Sequence, residues 1–353
     1  MKRIERNPEK FDALDLFTSL GRTRGYTIGH AASIDEFIKA IAGSLKASQE
    51  NPIVLHGKRV EAMFAHVAGA LGKCTIIKTE DSGDVFIDGE NVQVPDYRLT
   101  LKAGGQLLVE VKNCHIDSFR KPFGIRTEYF DKLERYAELN SVPLKIAVYF
   151  SPLNCWCLLS RRAFVKRGKN LKTTIQNAFA KNEMATLGDL MIATLPELTL
   201  ELMANPGDAE PIDADGTARI TFQTSRLFCA GNELTTPLEQ KIAFHFMRYG
   251  RWPDRSEAIV QNGKLLGISI LAQPEEESPD QPFSVVGQFS SMASAAYSEY
   301  TVSDRQLIAL DAPIDPDAFS LNIPEDYDSE TLPLWRFSMQ PNWNFGEGND
   351  YVR

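Results

Sequence analysis

In the stretch VPDYRLTLKAGGQLLVEVKNC, residues 94–114, two acids and a base sit where a half-buried strand has little use for them: Asp96, Glu110 and Lys112. Two carboxylates brought close together raise each other's pKa unless a cation neutralises them. Hard oxygen ligands that leave room for water are what Mg²⁺ takes at phosphate-processing sites. A neighbouring ammonium group can orient attacking water or stabilise charge that builds up in a transition state. The plainer alternative is a surface hairpin with a solvated polar face.

The hydrophobic pattern bears on that choice. In Gln106–Lys112 the odd positions Leu107, Val109 and Val111 are apolar, while the even positions Gln106, Leu108, Glu110 and Lys112 are mostly polar. Residues 94–102 split the same way, with Tyr97, Leu99 and Leu101 against Asp96, Arg98, Thr100 and Lys102. Residues directly opposite in an antiparallel pair share a face, so the apolar faces match only when partner numbers sum to an even value. An odd-length loop such as Ala103-Gly104-Gly105, with a glycine in the left-handed region, meets that condition. With that loop the sum is 208, Asp96 lies opposite Lys112, and Glu110 is diagonal to Asp96 on the same face.

Helices and strands must position this hairpin. SIDEFIKAIAGSLKAS (33–48) opens with Ser33 and Glu36 at capping-box spacing and continues with Ile34, Phe37, Ile41 and Leu45. GKRVEAMFAHVAGALG (57–72) predicts a second helix, with Val60, Phe64, Val67, Ala68 and Leu71 on one side and Gly72 as its stop. CTIIKT reads as a strand. RTEYFDKLERYAELNS (126–141) predicts a helix with Phe130, Leu133 and Ala137 inward, and PLKIAVYFSP and CWCLLS are buried strands. A helix crossing between two strands of one sheet makes them parallel. The expected fold class is therefore α/β, a mixed β-sheet flanked by helices.

ANPGDAEPIDADGTA, residues 204–218, is rich in Pro, Gly and Asp and reads as an acidic linker. Domains are thus expected at 1–203 and 219–353. The second is α+β and strand-rich, of unknown fold, with one clear helix at 236–250. The net charge of −9 hides an asymmetry: residues 98–172 carry 15 Lys+Arg against 6 Asp+Glu, and residues 173–353 carry 11 against 27. A basic segment between neutral and acidic ones is the charge pattern of a local polyanion site. The acidic C-terminal part is expected to regulate, oligomerise or bind a protein partner. No apolar leader segment and no run of 18 apolar residues occurs, so neither a signal peptide nor a membrane span is expected. Five scattered cysteines predict free, buried thiols in a reducing cytoplasm. Cys155 and Cys157 share a strand face but have no partner pair for zinc.

Pro95-Asp96, thirteen residues, then Glu110-Val111-Lys112 resembles the motif of the PD-(D/E)XK nuclease superfamily of restriction-endonuclease-like and resolvase-like enzymes. Glu61 looks like the helix glutamate that precedes the core hairpin in that superfamily. YFDKLERYAEL and PLKIAVYFSP look like the helix–strand unit that follows it. The resemblance covers roughly residues 50–160 and implies a restriction-endonuclease-like fold. By it, Asp96, Glu110, the Val111 carbonyl and, as an outer ligand, Glu61 would hold Mg²⁺, with Mn²⁺ as a substitute, and Lys112 would position the water that attacks DNA.

Further candidates for nucleic-acid contact are Lys132 and Arg135 on the following helix, His115 after the motif strand, and Arg161, Arg162, Lys166 and Arg167 in RRAFVKRGKNLK, each weighed against a solvated surface. The expected function is a cytoplasmic Mg²⁺-dependent endonuclease. Prokaryotic anti-phage or restriction-type defence is the setting the resemblance suggests, and by the same analogy a homodimer or higher oligomer. A repair or recombination nuclease on branched DNA, an RNA target, and a catalytically silent scaffold are the alternatives.

Overall fold

The structure is a computed structural model that describes residues 1–4, 12–80, 85–89, 91–116, 118–205, 207, 211–276 and 278–346. The chain divides into two compact units. One comprises residues 1–187, 297–319 and 341–353, and the other 188–296 and 320–340.

The first unit begins with helices α1 (Asp12–Arg24), α2 (Ala31–Gln49) and α3 (Pro52–Ala70). The capping box expected at Ser33 does not form. Helix α2 starts at Ala31 with His30 at its N-cap and no side-chain cap, and the Ser33 hydroxyl accepts the Thr27 N–H at 3.2 Å instead. Helix α3 opens earlier than its apolar period implies, because Asn51 accepts the N–H groups of Ile53 and Val54 and Pro52 sets the first turn. It stops before Gly72, whose φ of +81° is the left-handed conformation that glycine adopts without strain.

Strands β1 (Cys74–Thr79), β2 (Tyr97–Leu101), β3 (Gln106–Cys114), β5 (Leu144–Phe150) and β6 (Cys155–Leu159) form a sheet in the order β1-β2-β3-β5-β6. Its β3–β5 pair is parallel, bridged by helix α4 (Thr127–Asn140), and the other pairs are antiparallel. Between β3 and α4 runs β4 (Phe123–Arg126), which joins β7 (Val165–Arg167) and β8 (Asn170–Thr173) in a small second sheet, followed by α5 (Ile175–Ala180). That second sheet is absent from the sequence expectation, because its strands are short and basic rather than apolar.

The two faces of the main sheet pack differently. Phe64 of α3 lies 5.9 Å from Tyr97 and 5.4 Å from Trp156, ring centre to ring centre, so α3 covers the face of Leu99, Val109, Val111 and Trp156. Phe130 and Leu133 of α4 pack with Cys114, Ile146, Val148, Phe150 and Leu159 on the opposite face. That second face carries Glu110 and Lys112, whose parallel partners are Ile146 and Val148. Residues 297–319 also pack on α3. The Arg59 guanidinium donates to Thr301 Oγ1 at 2.8 Å and Ser298 Oγ at 2.7 Å, and His66 Nε2 lies 2.9 Å from Asp311 Oδ1.

The second unit contains β9 (Met191–Thr194), β10 (Leu198–Ala204), β11 (Phe222–Cys229), β12 (Asn232–Glu233), α6 (Pro237–Tyr249), β13 (Asp254–Gln261), β14 (Lys264–Ala272) and β15 (Ser284–Gln288). Its chain continues into α7 (Phe289–Thr301), whose last turn belongs to the first unit with the short pair β16 (Val302–Ser303) and β17 (Gln306–Leu307). Strand β18 (Leu334–Phe337) returns to the second unit and pairs with β9. An antiparallel sheet β12-β11-β10-β14-β13 packs beside α6, which starts with a complete Thr236/Glu239 capping box.

The unit boundary falls at 187/188, not in 204–218. Strands β10 and β11 pair directly across that segment, from Leu198↔Cys229 to Ala204↔Phe222, which makes it the connection of a hairpin. Residues 206 and 208–210 of it lie outside the described residues.

Candidate active site

The β2–β3 register places the chemistry. Tyr97 pairs with Val109, Leu99 with Leu107 and Thr100 with Gln106, so partner numbers sum to 206. The parity matches the sequence expectation and the register differs by two residues. The turn explains the difference. Gly104 N–H bonds Leu101 O at 3.0 Å and Leu101 N–H bonds Gly105 O at 3.1 Å, which closes the loop one residue earlier than Ala103-Gly104-Gly105 would. Both glycines have positive φ, +93° and +81°. Asp96 lies one residue before the Tyr97–Val109 pair that ends the ladder, where the Glu110 charge acts on it, and Lys112 is next along the Glu110 face of β3.

Asp96 and Glu110 are both buried. Asp96 Oδ2 accepts the Val111 N–H at 2.7 Å, which ties its carboxylate to β3. Glu110 Oε1 accepts from two donors, the Lys112 ammonium and the Tyr129 hydroxyl, the latter at 2.5 Å. Burial first, and then the Glu110 charge, push the Asp96 carboxyl up to about 7, against a smaller opposing pull from the Val111 N–H. The repulsion anticipated from residue types is therefore present in the fold.

Glu61 contributes differently. It lies on α3, and its carboxylate is held by Lys58 at 2.8 Å in an i,i+3 pair. Its backbone carbonyl accepts the Tyr97 hydroxyl at 3.1 Å, and its charge adds a further upward push on Asp96. The structure thus gathers Asp96, Glu110, Val111 and Lys112 and sets Glu61 within electrostatic reach of Asp96.

Beside this group an open cleft of about 330 Å³ is lined by Gln93, Arg126, Glu128, Tyr129 and Lys132. Lys132 enters it paired with Glu128 at 2.8 Å. Arg135 points elsewhere, to Glu138 at 3.3 Å. His115 is exposed, with Nδ1 3.0 Å from the Ser151 hydroxyl. Arg161 clasps α4 through Asp131 at 2.8 Å and Glu134 at 2.5 Å, and Arg162 lies 3.3 Å from the centre of the Trp343 ring. Both are engaged within the first unit. Lys166 and Arg167 are exposed on β7, in the hairpin whose Lys169 carbonyl accepts the Thr127 N–H that opens α4.

Sequence reasoning missed Tyr129, Gln93 and Arg126. Tyr129 is four residues before Leu133 on α4, and that spacing toward the sheet was a usable sign. Gln93 arrives only because its backbone N–H bonds Lys132 O at 3.2 Å, a contact without local signal. Arg98, on the same strand face as Asp96, serves another set: it binds Glu80 at 2.6 Å, and Tyr136 donates to that carboxylate at 2.7 Å. All five cysteines are buried and none forms a disulfide. No helix among the described residues is long and apolar enough to cross a membrane.

No protein-family model matches the chain, and no curated protein matches it. Among solved structures it is similar to Archaeoglobus fulgidus Hjc, a Holliday junction resolvase from an archaeal hyperthermophile, at 16% identity and a TM-score of 0.22. That match covers 26% of this chain and 77% of the other. A likeness of this size carries no weight for the chemistry, which follows from the site's own residues.

Proposed function

We propose that the chain is a divalent-metal-dependent nuclease that hydrolyses phosphodiester bonds of DNA. The observation that supports this most is a pair of buried carboxylates at one end of the hairpin, Asp96 bonded by the Val111 N–H and Glu110 bonded by the Lys112 ammonium. A fold in need of stability alone gains little from two buried, mutually repelling carboxylates, since apolar residues would pack there without that penalty.

The donor set fits a hard cation. Among the described residues no group of three His, Cys, Asp or Glu side chains that could hold a metal ion is found, so Glu61 does not join Asp96 and Glu110 in a three-acid set. Two carboxylates and the Val111 carbonyl, completed by water and substrate oxygens, are what Mg²⁺ or Mn²⁺ takes at phosphate sites. The Lys112 ammonium already rests on Glu110 as a positive charge at that place. When bound, the cation supplies Lewis acidity toward a phosphate oxygen and lowers the pKa of attacking water.

The chain's own groups do the rest. Asp96 is held at Oδ2 by the Val111 N–H, which fixes the carboxylate toward β3. Lys112 leaves Glu110 to donate to the oxygen of the attacking water and orient it. The new bond joins that oxygen to phosphorus as the bond to the departing oxygen breaks, the water gives up its proton to bulk solvent, and the departing oxygen takes a proton from solvent. Arg126 and Lys132 line the cleft beside Tyr129, where they offset the charge of the strand being cut.

The test is a cleavage assay on supercoiled, linear and single-stranded DNA and on RNA, each with Mg²⁺, Mn²⁺ or EDTA. Metal-dependent cutting of DNA supports the reading. Inertness on every substrate together with no Mn²⁺ binding by calorimetry sinks it and favours a silent scaffold.

The basic hairpin gives a second, smaller expectation. Exposed Lys166 and Arg167 contact phosphates without reading bases, and each duplex phosphate contact adds about 0.9 to the slope of log affinity against log salt. Replacing both by Gln is expected to reduce that slope by about 1–2 and to raise KM at unchanged kcat. A slope equal to that of the parent protein removes β7 from the interface.

A further inference from the structure

We propose that Tyr129 is a positioning residue for the Glu110–Lys112 pair. This rests on the nuclease reading and deepens it. Two independent contacts from one side chain support it. The Tyr129 hydroxyl donates to Glu110 Oε1 at 2.5 Å, and the face of its ring lies 5.2 Å from the Lys112 ammonium. Lys112 donates to that same Oε1, so hydroxyl and ammonium converge on a single oxygen and leave Oε2 to a cation.

The arrangement has a consequence for the order of events. Lys112 can act on water only after it releases Glu110, and a buried carboxylate that loses a donor pays for desolvation. The Tyr129 hydroxyl stays on Oε1 through that exchange, so the carboxylate keeps its orientation. The ring offers the freed ammonium a cation–π seat near the site, which limits how far it swings. One residue thereby steadies the metal-binding acid and keeps the water-orienting ammonium at hand.

Tyr129 is suited to this by its place on α4. Phe130 and Leu133 bury that helix against the sheet face that carries Glu110, which fixes the height of Tyr129 over the pair. Its other side faces the cleft of Gln93, Arg126 and Lys132. A residue kept only for packing there would have no need of a hydroxyl.

The experiment compares the full-length protein with Tyr129→Phe and Tyr129→Leu, by Mn²⁺ calorimetry and by cleavage kinetics on the DNA form that the parent cuts. Supporting groups behind metal ligands are typically worth about 10–100-fold in affinity or activity. Tyr129→Phe keeps ring and shape, and is expected to weaken Mn²⁺ binding by about 10-fold and to lower kcat with little change in the KM for DNA. Tyr129→Leu loses ring and hydroxyl, and is expected to lower kcat further, by about another 10-fold. Melting temperatures identify a variant that simply fails to fold, and near-isosteric Phe then decides. Parent-like Mn²⁺ affinity and kcat in Tyr129→Phe overturn the proposal while the nuclease reading stands. A parent protein that neither binds Mn²⁺ nor cuts overturns both. If it binds Mn²⁺ without cutting, the calorimetric comparison alone settles the role of Tyr129.

Discussion

Glu110→Gln is expected to lower metal-dependent cleavage by about 10³-fold or more, equal to roughly 4 kcal/mol of transition-state stabilisation. Gln keeps an oxygen for the Tyr129 hydroxyl and the Lys112 ammonium, so the variant loses charge rather than shape. Mn²⁺ binding should fall with the activity, because one of the two carboxylates that form the site is gone. Lys112→Ala separates the roles. It is expected to lower kcat by about 10²–10³-fold, the worth of a group that stabilises developing charge. Its Mn²⁺ affinity should stay the same or rise, since the ammonium that rests on Glu110 competes with the metal. Calorimetry beside single-turnover cleavage reads both quantities. A Lys112→Ala protein that cuts at the parent rate would show that water is oriented by something else.

Asp96→Asn is expected to remove activity and yet make the metal-free protein more stable at pH 8. The folded carboxyl holds its proton up to about 7, whereas the ordinary value is 3.8. Between those values the folded state binds more protons than the unfolded one, so stability falls as pH rises through the window. The loss is complete above about pH 7, where it amounts to something on the order of 2–4 kcal/mol. Asn carries no charge at any pH in this range, and its amide oxygen can still accept the Val111 N–H. Unfolding in EDTA should therefore show a gap between variant and parent that is wide at pH 8 and narrow near pH 5. Mn²⁺ should close the gap by stabilising the parent alone, as a ligand that binds only the folded state does. An equal gap at both pH values would mean that Asp96 carries no trapped charge. Gain of stability on loss of function is the pattern of a strained active site.

Much of the scaffold was legible in the sequence because local rules governed it. The period of Val60, Phe64 and Val67 defines the buried side of α3, and Phe130, Leu133 and Ala137 do the same for α4. The match of odd-numbered apolar positions in residues 94–112 requires an even register, which alone puts Asp96, Glu110 and Lys112 on one face. Alternation cannot go further. A slip of two residues leaves every side chain on the same face, so parity is written in the residues while the register itself is not. The positive-φ pair Gly104 and Gly105 closed the loop at Leu101 and brought Asp96 to the Glu110–Val111 stretch of β3.

The remainder was decided where distant segments meet. Tyr129 joins the site only because α4 packs over β3 and β5, and Arg98 leaves it only because β1 brings Glu80 alongside. Residues 297–319 belong with α3 through Arg59 and His66, contacts across more than 230 positions that no local pattern encodes. The proline- and acid-rich stretch after β10 has the composition of a linker, yet the ladder from Leu198↔Cys229 makes it a hairpin connection. Composition reports whether a segment is exposed. Which elements it joins depends on backbone pairing and burial, which only the tertiary structure supplies.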